Sequence, residues 1–246
     1  MTRVATLAAV LISISTTADA VSCSTQDYKG ARYTLCEVDA TSETIELFLK
    51  GPDGAVFGQF TNIDRHLATE GKSLVFAMNA GMYHDDRAPV GHYVEDGREI
   101  MRVIPNAGPG NFGLLPNGVL CLRPGRADVI ETQAFLATAP DCTDATQSGP
   151  MLVIDGALHP RFLKDGTSKF IRNGVGTSAD GRRAVFVISD APVNFHSFGS
   201  FFRDALDLPN ALYFDGKVSR LYAPQLNRSD FGFALGPIVG VVAPAQ

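Results

Sequence analysis

Residues 73–89 read SLVFAMNAGMYHDDRAP. Leu74-Val75-Phe76-Ala77-Met78 is a continuous apolar run with no alternation, which suits an element buried on both faces. The run is short for a helix and Gly81 follows closely, so it predicts a buried β-strand. Asn79-Ala80-Gly81 then breaks it with a polar amide and a residue free to adopt positive φ. Tyr83, His84, Asp85, Asp86 and Arg87 form a polar cluster behind the break. A rigid strand that ends abruptly in polar residues is a common frame for a functional loop. The plainer reading is a core strand running out into a solvated turn.

Outward from this strand the chain reads as pairs of strands joined by turns. Thr44–Leu49 and Ala55–Phe60 flank Gly51-Pro52-Asp53-Gly54. Gly91–Glu95 and Arg98–Met101 meet at Asp96-Gly97, and Phe112–Leu115 and Val119–Leu122 at Pro116-Asn117-Gly118. Met151–Ile154 and Ala157–Leu158 meet at Asp155-Gly156, and Val175–Ser178 and Ala184–Ile188 around Asp180-Gly181. Ala211–Phe214 and Val218–Tyr222 meet at Asp215-Gly216, and a last strand lies within Phe233–Val242. Asp-Gly and Asn-Gly between apolar runs are strong hairpin signals. Helices are predicted at Asn62–Glu70, closed by Gly71, and at Ser197–Asp207. In the second, Phe198, Phe201, Phe202, Ala205 and Leu206 recur with helical spacing. The fold class is α+β: one domain, residues 21–246, around a large mixed and mainly antiparallel sheet with few helices.

The first 20 residues carry Arg3, an apolar stretch from Val4 to Ile14, and Ala18-Asp19-Ala20, which reads as a secretory signal with its cleavage site. The stretch is too short to span a bilayer, and no later segment is long and apolar enough. The expected product is exported to the periplasm or the medium. Arg3 and Asp19 cancel, so the net charge of −5 survives cleavage. That acidic balance argues against a general nucleic-acid binder. It leaves room for a phosphorylated small substrate. Oligomeric state is not legible.

The 4 cysteines, Cys23, Cys36, Cys121 and Cys142, form no C-x-x-C pair. An even number in an exported chain reads as two disulfides with three connectivities open, and proximity favours Cys23–Cys36 and Cys121–Cys142. Finger-type zinc ligation does not fit these spacings.

Among chemical groups, Asp96, Asp155, Asp180 and Asp215 each precede Gly, where turn geometry alone favours Asp. Arg172 enters a small, Gly-rich strand, and a buried Arg needs a carboxylate or an anionic ligand. Its fork matches phosphate oxygens. His84, Asp85 and Asp86 suggest metal ligands or a solvated loop, and His196 an acid/base or a helix-start residue. His66, on the first helix, reads as a surface residue. The Gly-rich stretch Gly108–Gly113, which includes Asn111, lacks the strand–helix context of a nucleotide loop. No G-x-S-x-G elbow, P-loop or H-E-x-x-H motif is present.

Four segments in order resemble the phosphodiester glycosidase family: Asn79-Ala80-Gly81-Met82-Tyr83, Gln147-Ser148-Gly149-Pro150-Met151-Leu152, Arg172–Gly176 and Ala211–Gly216. The resemblance runs over about residues 70–243. It includes the catalytic domain of the family's uncovering-enzyme branch, but that branch reads D-G-G-G-S. This chain reads Asp215-Gly216-Lys217-Val218-Ser219, closer to a bacterial branch of exported proteins. The resemblance implies hydrolysis of a bond between an anomeric carbon and a phosphodiester in a phosphate-linked glycan. It also implies that Asn79, Arg172 and Asp215 share one site, with His196 as a further catalytic candidate. Gly81, Tyr83, His84, Asn111, Ser148, Gly149 and Gly216 are the substrate-binding candidates. No cofactor is required, and a divalent cation beside Asp215 is left open. The alternative is a non-catalytic periplasmic module that binds anionic glycans in the same pocket.

Overall fold

A computed structural model describes residues 21–245. The leader reading therefore lies outside the described residues. Every strand pairing among the described residues is antiparallel, and the strands form three sheets. The seven-stranded sheet runs in the order β1 (Val21–Tyr28), β2 (Ala31–Asp39), β13 (Arg183–Ser189), β12 (Asn173–Thr177), β14 (Asn210–Asp215), β10 (Met151–Ile154), β11 (Ala157–Leu158). A five-stranded sheet runs β16 (Arg228–Ser229), β15 (Leu221–Ala223), β4 (Lys72–Asn79), β17 (Ile238–Pro244), β3 (Thr44–Phe48). The other five-stranded sheet runs β6 (Arg98–Met101), β5 (Tyr93–Glu95), β9 (Asp144–Ser148), β7 (Gly118–Arg123), β8 (Arg126–Glu131).

The apolar run Leu74–Met78 is the heart of β4, a central strand as its lack of alternation requires. Phe76 and Met78 point into a core shared with Leu120 and Leu122 of β7 and with Val175, Phe186 and Phe214 of the large sheet. Leu74 and Ala77 face the other way, onto α1 (Phe60–Ala68), through Phe60, Ile63 and Leu67. Helix α2 (Thr132–Thr138) is capped by the side chain of Glu131, which accepts from the N–H groups of Gln133 and Ala134. Helix α3 (Phe195–Ser200) continues into a π-helical turn, Phe201–Ala205, and covers the outer face of the large sheet. There Phe201 stacks on Tyr33 with ring centroids 4.1 Å apart. Both disulfides join as proximity suggested, Cys23–Cys36 across paired strands and Cys121–Cys142.

Three hairpins expected from turn chemistry are absent, for separate reasons. Ala55–Phe60 makes only the single bridge Lys50–Val56 and leads into α1, while β3 pairs with β17 at the edge of its sheet. Phe112–Leu115 is a turn, and β7 pairs with β8 and β9. Most consequentially, Asp215-Gly216 is no hairpin turn: β14 lies in the large sheet and β15 in another, so the chain changes sheet there. Strands β1, β2, β8 and β9 and helix α2 carry too weak a pattern to have been anticipated, Asp144–Ser148 being buried throughout yet mostly polar.

Candidate active site

Strand ends from all three sheets meet at a single place. β4 brings Asn79, β9 brings Ser148, and β12 and β14 bring Asn173 and Asp215. The joint is a pair of buried amides. Asn79 Nδ2 donates to Asn173 Oδ1 at 3.2 Å, and Asn173 Nδ2 donates to Asn79 Oδ1 at 3.1 Å and to its backbone oxygen at 3.0 Å. An amide carries both donor and acceptor, so two can close reciprocally without leaving a buried polar group alone. The spare acceptor capacity ties in the sheet-crossing loop. The Asp215 N–H and the Ser219 hydroxyl each donate to Asn173 Oδ1 at 3.2 Å, and the Arg220 N–H donates to Asn79 Oδ1 at 2.9 Å. Ser148 Oγ donates to the Phe214 carbonyl at 3.0 Å, which fixes β9 to the same loop.

Asp215 heads that loop. Its Oδ1 accepts from the N–H groups of Gly216 at 2.6 Å and Lys217 at 2.9 Å. Its Oδ2 accepts nothing among the described residues. Burial pushes the carboxyl above the usual range, and the two N–H groups pull the other way. Tyr213, almost wholly buried, sets its hydroxyl beside this carboxylate, the Arg172 guanidinium and Asn111. Burial pushes that phenol up, Asp215 adds to the rise, and Arg172 and Asn111 oppose it. A Cβ on Gly216 would overlap the Tyr213 hydroxyl, so only glycine lets the loop pass this close.

Arg172 is 0 % exposed. Of the two partners expected for it, a carboxylate or an anionic ligand, no carboxylate pairs with it among the described residues. Nε donates to the Val193 carbonyl at 2.9 Å and Nη2 to the Ser168 carbonyl at 3.1 Å. The guanidinium lies 3.6 Å from the Phe195 ring centroid and 5.3 Å from that of Tyr213. Nη1 is buried without a partner. A charge held by carbonyls and ring faces alone keeps its field, because nothing of opposite sign touches it.

Of the substrate-binding candidates, Gly81 sits at φ 123°, and a Cβ there would lie 3.0 Å from Thr146 Oγ1. Tyr83 donates to the Ala234 carbonyl at 3.4 Å, and the Asp215 charge reaches its hydroxyl. Gly149 lets the Asn111–Phe112 loop pack close: a Cβ there would be 3.0 Å from the Phe112 carbonyl oxygen. Gly216 and Ser148 are already in the joint, and Asn111 reaches Tyr213. Two candidates are not gathered in. His84 is exposed in a turn closed by its N–H to the Ala88 carbonyl, with Asp85 and Asp86 exposed beside it. His196 lines a separate cleft of about 520 Å³. Neither that cleft nor one of about 550 Å³, bordered by Leu49, Lys50, Glu95 and Arg98, is lined by Asn79, Arg172 or Asp215. No group of three His, Cys, Asp or Glu that could hold a metal occurs among the described residues.

Sequence reasoning missed Asn173 and Tyr213. Asn173 offered a faint signal, an amide in an otherwise small and apolar strand. Tyr213 offered none beyond standing two residues before Asp215.

The family model for phosphodiester glycosidases matches residues 72–238, which holds the whole joint. The chain belongs to the phosphodiester glycosidase family. An Escherichia coli relative of this family, the uncharacterized protein YigE, is 31% identical over 185 residues, covering 75% of this chain and 72% of that one. Among solved structures, the zebrafish N-acetylglucosamine-1-phosphodiester alpha-N-acetylglucosaminidase catalytic domain, auto-inhibited by its pro-peptide, superposes with a TM-score of 0.59. It shares 14% identity, over 90% of this chain and 81% of that one. A putative exported protein of Burkholderia pseudomallei matches with a TM-score of 0.55 and 10% identity, over 86% of this chain and 74% of that one. Family membership carries a glycosidase type of function, and these two structural likenesses carry the fold.

Proposed function

We propose that this phosphodiester glycosidase is an exported hydrolase that cleaves the bond between a sugar anomeric carbon and a phosphodiester. The observation that carries the reading is the meeting of three sheet ends around Asp215, with the unneutralised Arg172 behind Tyr213. The C1–O bond to phosphate breaks, its electron pair leaves with the phosphate, and water supplies the new oxygen at C1. Phosphate leaves readily, so protonation matters less than in ordinary glycoside hydrolysis. The remaining task is to stabilise an oxocarbenium-like transition state and deliver the attacking oxygen. In this reading Asp215 Oδ2, which accepts nothing among the described residues, takes that task, as nucleophile or as base for water. The Tyr213 hydroxyl and the field of Arg172 oppose the charge that develops on the departing phosphate. Asn79 holds the loop through the Arg220 N–H rather than offering a free amide.

No step needs a cofactor. Loss of turnover on chelation would instead put a divalent cation beside Asp215. Two disulfides fit an oxidising compartment, and no described helix is long and apolar enough to cross a membrane. The deciding experiment is hydrolysis of a chromogenic sugar-1-phosphodiester by the wild type, Asp215→Asn and Arg172→Ala, with folding checked by circular dichroism. Both variants are expected to lose about 100-fold or more in kcat. Full activity in both folded variants sinks the mechanism. Saturable binding by the wild type with no sugar released supports the alternative, a binding module for anionic glycans.

A further inference from the structure

His196 belongs to a feature that the proposed chemistry leaves unused. Its cleft, about 520 Å³, lies between the β1–β2 turn, the 164–169 segment and the start of α3. Three lysines line it, Lys29, Lys164 and Lys169, with Asp165 the one carboxylate among its lining residues. Lys29 is engaged with Asp204 at 3.3 Å, whereas Lys164 and Lys169 join no ion pair among the described residues. A cationic cleft on a chain of net charge −5 is an exception to its surroundings.

The floor of the cleft has a second property. Ser200 lines it and is 2 % exposed, and its Oγ is buried with no hydrogen-bond partner. A buried hydroxyl left alone costs about 1–3 kcal/mol, so a native chain normally supplies a partner. Tyr33 lines the same floor, and Ser197 and His196 stand on the wall. The wall itself is firmly built. Asn194 Oδ1 accepts from the Ser197 N–H at 2.8 Å, and its Nδ2 donates to the carbonyls of Lys164 at 3.0 Å and Gly166 at 3.1 Å. One amide thus fixes the lysine-bearing segment to the helix that carries Ser200. Hydroxyls on a floor and lysines on a rim suit a ligand that is both polyhydroxylated and anionic.

We propose that this cleft binds a phosphate-bearing sugar unit, its phosphate on Lys164 and Lys169 and a sugar hydroxyl on Ser200. The site is distinct from the Asp215 joint. It adjoins it, because Val193, which lines the cleft, gives its carbonyl to Arg172. The ligand is either a free sugar phosphate or a phosphorylated unit of a longer glycan.

Glucose 6-phosphate, glucose and inorganic phosphate are titrated by calorimetry into the wild type, Asp215→Asn, Ser200→Ala and the double variant Lys164→Gln/Lys169→Gln. Glucose 6-phosphate is expected to bind the wild type and Asp215→Asn alike and the double variant at least 10-fold more weakly. Ser200→Ala should weaken glucose 6-phosphate while leaving inorganic phosphate unchanged. Binding unaltered in the double variant, or glucose matching glucose 6-phosphate, overturns the proposal. Inorganic phosphate matching glucose 6-phosphate overturns the sugar part of it. Turnover of a sugar-1-phosphodiester by the double variant separates this site from the catalytic reading, since it is expected to persist. A phosphorylated oligosaccharide binding more tightly than the monosaccharide assigns the cleft to a longer glycan, and equal binding assigns it to the free sugar phosphate.

Discussion

At the scale of the residue, the joint is decided by an amide pair that no single segment contains. Asn173 accepts from three donors at once, the Asn79 amide, the Asp215 N–H and the Ser219 hydroxyl. Removing it strands several buried groups, and each costs far more unmade than it contributes when made. Asn173→Ala should therefore lower stability by about 2–4 kcal/mol in urea denaturation. A loss below about 1 kcal/mol would show that the joint is not what holds the sheets together. The residue types of the site were legible in part. Asn79 stood out because a polar amide interrupts an apolar run, whereas Asp215, one of several Asp-Gly pairs, stood out only through the ordered motifs of the family. Arg172 stood out too, but its partners did not. Nothing in the sequence says that Val193 and Ser168, distant in one direction and near in the other, would offer their carbonyls to it.

At the scale of the element, local turn chemistry succeeded where both flanking strands had no better partner. Asp155-Gly156 and Asp96-Gly97 close real hairpins, with Asp155 at φ 46° and Asp96 at φ 53°. It failed at Asp215-Gly216, where the same dipeptide carries the chain between sheets. Asp155 and Asp96 take positive φ, whereas the Asp215 carboxylate accepts from the next two N–H groups, so one dipeptide makes two different local turns. Local turn geometry and the competition among strand edges together decide whether the following segment folds back. The start of α3 is a further element held by more than propensity. Asn194 caps it and also clamps the 164–166 segment. A cap alone is worth about 1 kcal/mol, so Asn194→Ala should cost roughly 2 kcal/mol or more. Asn194→Asp keeps the cap and loses the clamp, so it should fall between the two. A thermal midpoint for the Asp variant equal to that of the wild type would remove the clamp from the account.

At the scale of the whole molecule, two features set stability against conditions. Burial pushes Glu95 up to about 7 and Asp144 up to about 6. Each native carboxyl holds its proton more tightly than the unfolded chain does. Their contribution is complete below the unfolded values, near 4, and is lost as pH rises through about 6 and 7. Stability should fall from pH 5 to pH 8, and Glu95→Gln should flatten that fall. A rise over the same interval, or an unchanged slope in the variant, would contradict it. The Cys121–Cys142 bridge spans 21 residues and ties β7 to the segment leading into β9. Breaking it with Cys121→Ala/Cys142→Ala should cost about 2–4 kcal/mol, read as a lower urea midpoint. The sequence by itself determined the buried central strand, the antiparallel character, the disulfide pairing that proximity allowed and the family, because these rest on local pattern and ordered motifs. The tertiary structure alone decided that three sheets share one core, that Asp215 sits at a sheet crossing, and that His196 faces another cleft. Those outcomes depend on which strand edges and buried polar groups find one another across long stretches of chain, and no local pattern encodes that choice.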